Sequence, residues 1–132
     1  MTSSKMSRVE LVDEELYKEN VLDHNKNPRN KRIIPSCTCQ HTENNPLCGD
    51  KITIYLKIKK NKLEDISFMG DGCAISQASA SLLTEHVQHF TVKQLKDLSS
   101  DDILTLLGIP ISHTRMKCAQ LCLKTLQKAL ED

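Results

Sequence analysis

Apolar and polar residues alternate without a break from Lys51 to Lys59. Ile52, Ile54, Leu56 and Ile58 fall on one side, with Lys51, Thr53, Tyr55, Lys57 and Lys59 on the other. A period of two sends successive side chains to opposite faces, so this segment predicts a half-buried strand. Lys60-Asn61-Lys62 turns the chain, and Leu63 to Met69 predicts a second strand with Ile66 and Phe68 facing the core. So short a turn makes an antiparallel hairpin. A hairpin alone is marginal in water, and its apolar face calls for helices to cover it.

Helical signals lie on both sides. Asp13-Glu14-Glu15 suits a first helical turn, and Leu16, Tyr17, Val21 and Leu22 carry a short helix to about Leu22. The segment from Asn25 to Asn30 stops it, because Pro28 disfavours helix in the residue before it. Residues 1–12 read as frayed and residues 31–47 as irregular, with Ile33-Ile34-Pro35 as a short edge strand. After the hairpin, Gly70-Asp71-Gly72-Cys73 breaks the strand and a helix is predicted from Ala74 to about Val87. Its opening turns are built from small residues that allow close backbone packing. Thr91 to Gln94 fits a capping box opening a short helix to Leu98. Ser99 or Ser100 caps the next helix, Gly108 stops it, and Pro110 marks the break. The last helix is predicted from Thr114 or Arg115 to about Leu130, with Ala119, Cys122, Leu126 and Ala129 on one face. No internal repeat or second domain is visible, so residues 1–132 read as one domain.

Composition narrows the classes. Two Phe, two Tyr and no Trp make the core aliphatic and remove the stacking platforms that single-stranded nucleic acid needs. A formal net charge of +1 gives no electrostatic case for a nucleic-acid partner. No apolar run approaches the ~20 residues of a membrane span. The polar stretch Met1 to Arg8 lacks the apolar core of a secretory signal. The expectation is a cytoplasmic protein with reduced thiols, in which six cysteines point to metal or thiol chemistry rather than three disulfides.

Those cysteines are not equivalent. Cys37, Cys39 and His41 could converge on a metal or form a redox pair, but the simpler reading is a polar loop with incidental cysteines. Asn45-Pro46-Leu47-Cys48-Gly49-Asp50 pairs a soft sulfur ligand with a hard oxygen ligand at the mouth of the first strand. Cys73 and Cys118 each fall at a helix N-terminus, where the dipole favours a thiolate. Cys122 sits on the apolar stripe of the last helix and reads as core. Cys48, Asp50, Cys73 and Cys118 therefore form a three-sulfur, one-oxygen set that suits tetrahedral zinc or a two-iron cluster. No C-x₂-C pair is present, so the tertiary fold has to assemble the site. A carboxylate among thiolates loosens a soft-metal site and suits exchange. Such thiolates can also accept sulfur by attacking a persulfide. Two classes follow: a carrier on which sulfur or a cluster is assembled, or a hydrolytic zinc enzyme. The zinc-deaminase pattern is absent.

The chain resembles the U-type iron–sulfur cluster assembly scaffolds, the IscU, SufU and NifU N-terminal-domain family, from about Leu16 to Leu130. The motifs are Val21-Leu22-Asp23-His24, Asn27-Pro28-Arg29-Asn30, Asn45 to Asp50, Leu63 to Phe68, Gly70 to Ser76 with Ala78 to Ser81, and Arg115-Met116-Lys117-Cys118-Ala119. The resemblance implies an α+β fold, a three-stranded antiparallel sheet packed against helices. It also implies that Cys48, Asp50, Cys73 and Cys118 hold a [2Fe-2S] cluster or Zn2+ at one site. The implied role is a scaffold or carrier that receives sulfur from a cysteine desulfurase of the IscS or SufS type and passes clusters to acceptor apo-proteins. The alternative it offers is a zinc-bound, SufU-type sulfurtransferase. Subtype features are mixed. Lys117 stands where IscU-type members usually carry His, while the short Cys73–Cys118 interval is IscU-like. Ile111 to Arg115 replaces the Leu-Pro-Pro-Val-Lys segment that IscU-type proteins offer to an Hsp70 chaperone. The Lys117 ammonium could offset the negative charge of the site. Cys37, Cys39 and His41 lie outside the family pattern. A labile cluster shared between copies would make a homo-oligomer.

Overall fold

The computed structural model describes residues 16–46 and 49–131. The frayed stretch 1–12, the acidic turn at 13–15 and Cys48 lie outside the described residues.

The sheet has three antiparallel strands in the order β1-β2-β3. The predicted hairpin forms its centre and one edge, as β2 (Asp50–Lys59) and β3 (Lys62–Asp71). Lys59 pairs with Lys62, and Lys60 and Asn61 both take positive φ, 54° and 61°, the geometry of a two-residue turn that follows strand twist. Ile52, Ile54, Leu56, Ile66 and Phe68 are fully buried, as the alternation requires. The register slips between Lys57 and Ile58, leaving Ile58 only partly buried beside fully covered Leu63.

Two expectations fail along residues 31–47. Cys39–Asn45 is not irregular; it is strand β1, paired with β2 from Cys39↔Leu56 to Asn45↔Asp50. Its more buried positions are Cys39, His41, Glu43 and Asn45, so the alternation is real but carried by polar residues. Ile33-Ile34-Pro35 is not a strand. Only Lys31 bridges β3, opposite Phe68, with the Arg32 N–H donating to the Phe68 carbonyl at 3.0 Å. Pro35 has no N–H to continue such a ladder.

Helices cover the apolar face. Helix α1 occupies residues 16–26 of the described chain, slightly past the predicted end. It is followed by α2 (Ala74–His86), α3 (Val92–Lys96), α4 (Ser100–Leu107), a 3₁₀ turn at His113–Arg115, and α5 (Met116–Glu131). The Thr91–Gln94 capping box is present in both directions. Gly108 caps α4 at φ 66°, with its N–H on the Leu104 carbonyl. Helix α5 packs on β1, β2 and α2, and α2 packs also on β3 and α4.

The small residues of α2 do more than permit close approach. Ser81 Oγ accepts the Arg29 N–H at 2.8 Å and lies 2.7 Å from His24 Nδ1. Asn30 Nδ2 donates to Thr84 Oγ1 at 3.3 Å, and Lys31 Nζ to Gln77 Oε1 at 3.0 Å. The end of α1 and its following loop are thus strapped across α2, and an Asp23–Arg29 ion pair at 2.6 Å holds the strap in shape. The strap helps to fix the helix whose N-terminus carries Cys73.

Candidate metal centre

Three elements deliver one candidate ligand residue each to the same end of the sheet. Asp50 is the first residue of β2, Cys73 is the N-cap of α2, and Cys118 lies in the first turn of α5. One ligand atom from each lies within 4.8 Å of the other two. Asp50 is 1% exposed and Cys118 is fully buried, whereas Cys73 is partly open to solvent.

Local chemistry holds Asp50 in place. Its Oδ1 accepts the Cys73 N–H at 2.8 Å, and its Oδ2 lies 3.8 Å from Cys73 Sγ. The carboxylate therefore meets both the free N–H of a helix start and the sulfur beside it, where the dipole favours negative charge. Gly72 makes this approach possible. A Cβ there would fall 2.5 Å from Asp50 Oδ1 and would also collide with Ser76 Oγ. On the other side, β1 ends at Asn45, whose carbonyl accepts the Gly49 N–H at 2.9 Å; Gly49 turns at φ 71°.

The donors suit a metal. Sulfur ligands about 2.3 Å from a tetrahedral zinc sit roughly 3.5–3.8 Å from one another. The Asp50–Cys73 separation already falls there, and the other separations, all within 4.8 Å, would need to close by at most about 1 Å. A buried carboxylate beside two sulfurs, with space kept by a glycine, fits such an ion.

Cys122 stands apart. It is 1% exposed, its Sγ–H donates to the Ala119 carbonyl at 3.7 Å, and burial pushes its pKa up to about 12. It is a neutral core thiol, as its place on the apolar stripe implies. Cys37, Cys39 and His41 do not gather into a ligand set. His41 Nε2 meets Glu43 Oε1 at 3.0 Å, and that contact is the main reason the Glu43 carboxyl titrates below its usual range. Cys37 Sγ is directed to Gln40 Oε1 at 3.6 Å, and Cys39 packs at the edge of the core. Lys117 is exposed beside Cys118.

Sequence reasoning passed over Asn45. It is 6% exposed, and its Nδ2 lies 3.9 Å from Cys118 Sγ, making it a donor aimed at one of the candidate ligand sulfurs. The available signal was its place opposite Asp50 across a tight turn. Among the described residues, no helix is long and apolar enough to cross a membrane.

The family model of the NifU-like N-terminal domain matches residues 16–132. The chain is 36% identical over 117 residues to the iron-sulfur cluster assembly scaffold protein IscU 1 of Archaeoglobus fulgidus, covering 89% of this chain and 76% of that one. It is 35% identical over 132 residues to the zinc-dependent sulfurtransferase SufU of Bacillus subtilis, covering 87% and 89% respectively. A crystal structure of the N-terminal part of a NifU-like protein from Brucella abortus superposes with a TM-score of 0.72 over 89% of this chain and 94% of that one. At 20% identity that likeness concerns the fold alone. The matched family model and the full-length relatives together place the chain in the NifU-like N-terminal domain family.

Proposed function

We propose that the protein is a carrier for iron–sulfur cluster assembly, receiving sulfur from a cysteine desulfurase and assembling and releasing a labile [2Fe-2S] cluster as cargo. The convergence of Asp50, Cys73 and Cys118 carries this reading, with Cys48, two residues before Asp50 in the sequence, as the fourth ligand of the set. It is supported by relatives named as cluster assembly scaffolds. In the sulfur-accepting step, a thiolate at this site attacks the outer sulfur of a desulfurase persulfide. The new S–S bond leaves a persulfide on the carrier, and the desulfurase cysteine departs as thiolate. Cys73 is suited to this attack because it is partly open and sits at a helix start. Asp50 supplies the hard donor that keeps the set exchangeable. The exposed Lys117 ammonium offsets charge beside Cys118. The chemistry requires reduced thiols, which suits a cytoplasmic setting, and the cargo leaves to acceptor apo-proteins.

A second reading rests on Lys117 and on the similarity to SufU: a resident zinc held by the same four residues, with sulfur relayed and no cluster built. Zinc would keep its thiolate ligands deprotonated. Anaerobic purification followed by metal analysis and visible absorption separates the two. Iron and acid-labile sulfide in equal amounts with charge-transfer bands support the scaffold. One tightly held zinc and no colour after reconstitution support the relay. A protein that retains neither metal, and takes no labelled sulfur from a desulfurase on Cys48, Cys73 or Cys118, would refute both.

A further inference from the structure

Positive charge is unevenly spread on a nearly neutral chain of 18 basic and 17 acidic residues. A cleft of about 460 Å³ lies between the Asn44–Pro46 end of β1 and the outer face of α5, and contains Lys117 and Lys124. It shares Lys124 and Gln127 with a second depression, which adds Lys96 and Lys128. Lys96 is shared in turn with a third, bordered by Lys60, Lys62 and Lys93 at the β2–β3 turn. The three form one continuous lysine track from the residue beside Cys118 to the far end of the sheet. The sole carboxylate among the residues that line it is Glu131, and Glu43 meets Lys124 from β1 at 3.9 Å.

We infer that this track is a docking groove for an acidic polypeptide segment of a partner protein. Charge complementarity selects an anion, and the remaining lining selects a peptide over a nucleic acid. No aromatic ring lines the track for base stacking, and no arginine is present to grip phosphate in a bidentate fork. Instead the first cleft offers Asn44, Gln120 and Gln127, side-chain amides that both donate and accept and so match peptide backbone. Leu121 and Pro46 add apolar contact beside them. From Lys117 to Lys128 the helix covers about 16 Å, the length of roughly five extended residues. A segment of that size with carboxylates at alternate positions would be drawn in by long-range attraction. That such a segment brings its protein to the thiol site rests on the proposed function; the binding itself does not.

The probe is a fluorescein-labelled decapeptide of alternating glutamate and glycine, with a thymidine decanucleotide as the competing polyanion. Fluorescence anisotropy at low salt should show the peptide binding more tightly than the decanucleotide. The double reversal Lys96→Glu/Lys128→Glu should weaken the peptide about tenfold, ~1.4 kcal/mol. The equal reversal Lys18→Glu/Lys26→Glu, away from the track, should change it by less than about twofold. Carbodiimide cross-links from the peptide should concentrate on Lys96, Lys124 and Lys128. Circular dichroism checks that both variants fold. Equal losses in the two variants, tighter binding of the decanucleotide, scattered cross-links or no binding would each overturn the groove. Failure of cluster and zinc loading with peptide binding intact would count against the proposed function and leave the groove standing.

Discussion

Asp50 and Cys73 contact each other twice: the carboxylate accepts the Cys73 N–H through one oxygen at 2.8 Å and faces the Cys73 sulfur with the other at 3.8 Å. One side chain thus serves both as helix cap and as prospective hard ligand. The two roles separate by substitution. Asp50→Asn retains an acceptor for the N–H and should cost little stability, whereas Asp50→Ala leaves that donor unpaired and should cost about 1.5–3 kcal/mol. Both remove the carboxylate, so on the proposed ligand role both should slow metal or cluster transfer to an acceptor, by about tenfold or more. Stopped-flow transfer assays alongside urea melts read the two effects independently. Unchanged transfer in both variants would make Asp50 a cap and nothing else.

Gly72→Ala isolates position from chemistry. The residue's φ lies outside the left-handed range, so alanine meets no backbone penalty there. Its methyl group would nevertheless fall 2.5 Å from Asp50 Oδ1. Ser76 can rotate away, but the carboxylate cannot move without losing the Cys73 N–H. We expect a lower melting temperature, by no more than Asp50→Ala causes, together with slower transfer of metal or cluster to an acceptor, the direction expected of the Asp50 variants. If transfer is unaltered, the carboxylate is not a ligand.

How much of this the sequence disclosed depends on which signal each element used. The β2–β3 hairpin, the capped helices and core Cys122 announced themselves because apolar spacing and turn chemistry are local. Strand β1 did not. Its inward positions, Cys39, His41, Glu43 and Asn45, face α5 with polar atoms, so hydropathy registers no alternation. Asp50, Cys73 and Cys118 were legible as element ends, but their meeting is a tertiary fact that spacing cannot show. Asn45 escaped because its partner, Cys118, is distant in sequence and reached only through the register of β1. The strap over α2 was hidden likewise: serines at Ser76, Ser79 and Ser81 read as small, whereas Ser81 is used for its oxygen.

Cys122 gives a prediction at alkaline pH. Its thiol is buried and its pKa is pushed up to about 12 from 9.0. The folded state therefore holds this proton after the unfolded chain has released it. The stabilisation is complete below pH 9 and is lost as pH rises toward 12, with a slope of at most about 1.4 kcal/mol per pH unit. Cys122→Ala should lower stability at pH 8 by about 1–2 kcal/mol, because a buried group is deleted. It should also remove this part of the alkaline loss while leaving metal content unchanged. Urea denaturation of parent and variant between pH 8 and 10.5 tests the slope. Metal lost from the variant would move Cys122 out of the core and into the site.

His24 governs the acid side. It is 2% exposed, and burial is the chief cause that lowers its pKa below 6.5, helped by the nearby Arg29 charge and opposed by Glu85 and Asp23. A depressed pKa means that the neutral ring belongs to the folded state. Its contribution is present above pH 6.5 and declines as pH falls through the folded value, where protonation must charge a ring packed against Ser81 Oγ. The carboxyls of Asp23, Asp65 and Glu43 are also depressed, but from ordinary values of 3.8, 3.8 and 4.5, so their losses begin lower. The interval from pH 6.5 down to about 5 is therefore diagnostic of His24 among these groups. Between those limits the parent should lose stability with a slope of up to about 1.4 kcal/mol per pH unit. His24→Gln, which keeps a hydrogen-bonding partner for Ser81, should flatten that slope. Parallel slopes in the two proteins would show that the acid sensitivity lies elsewhere.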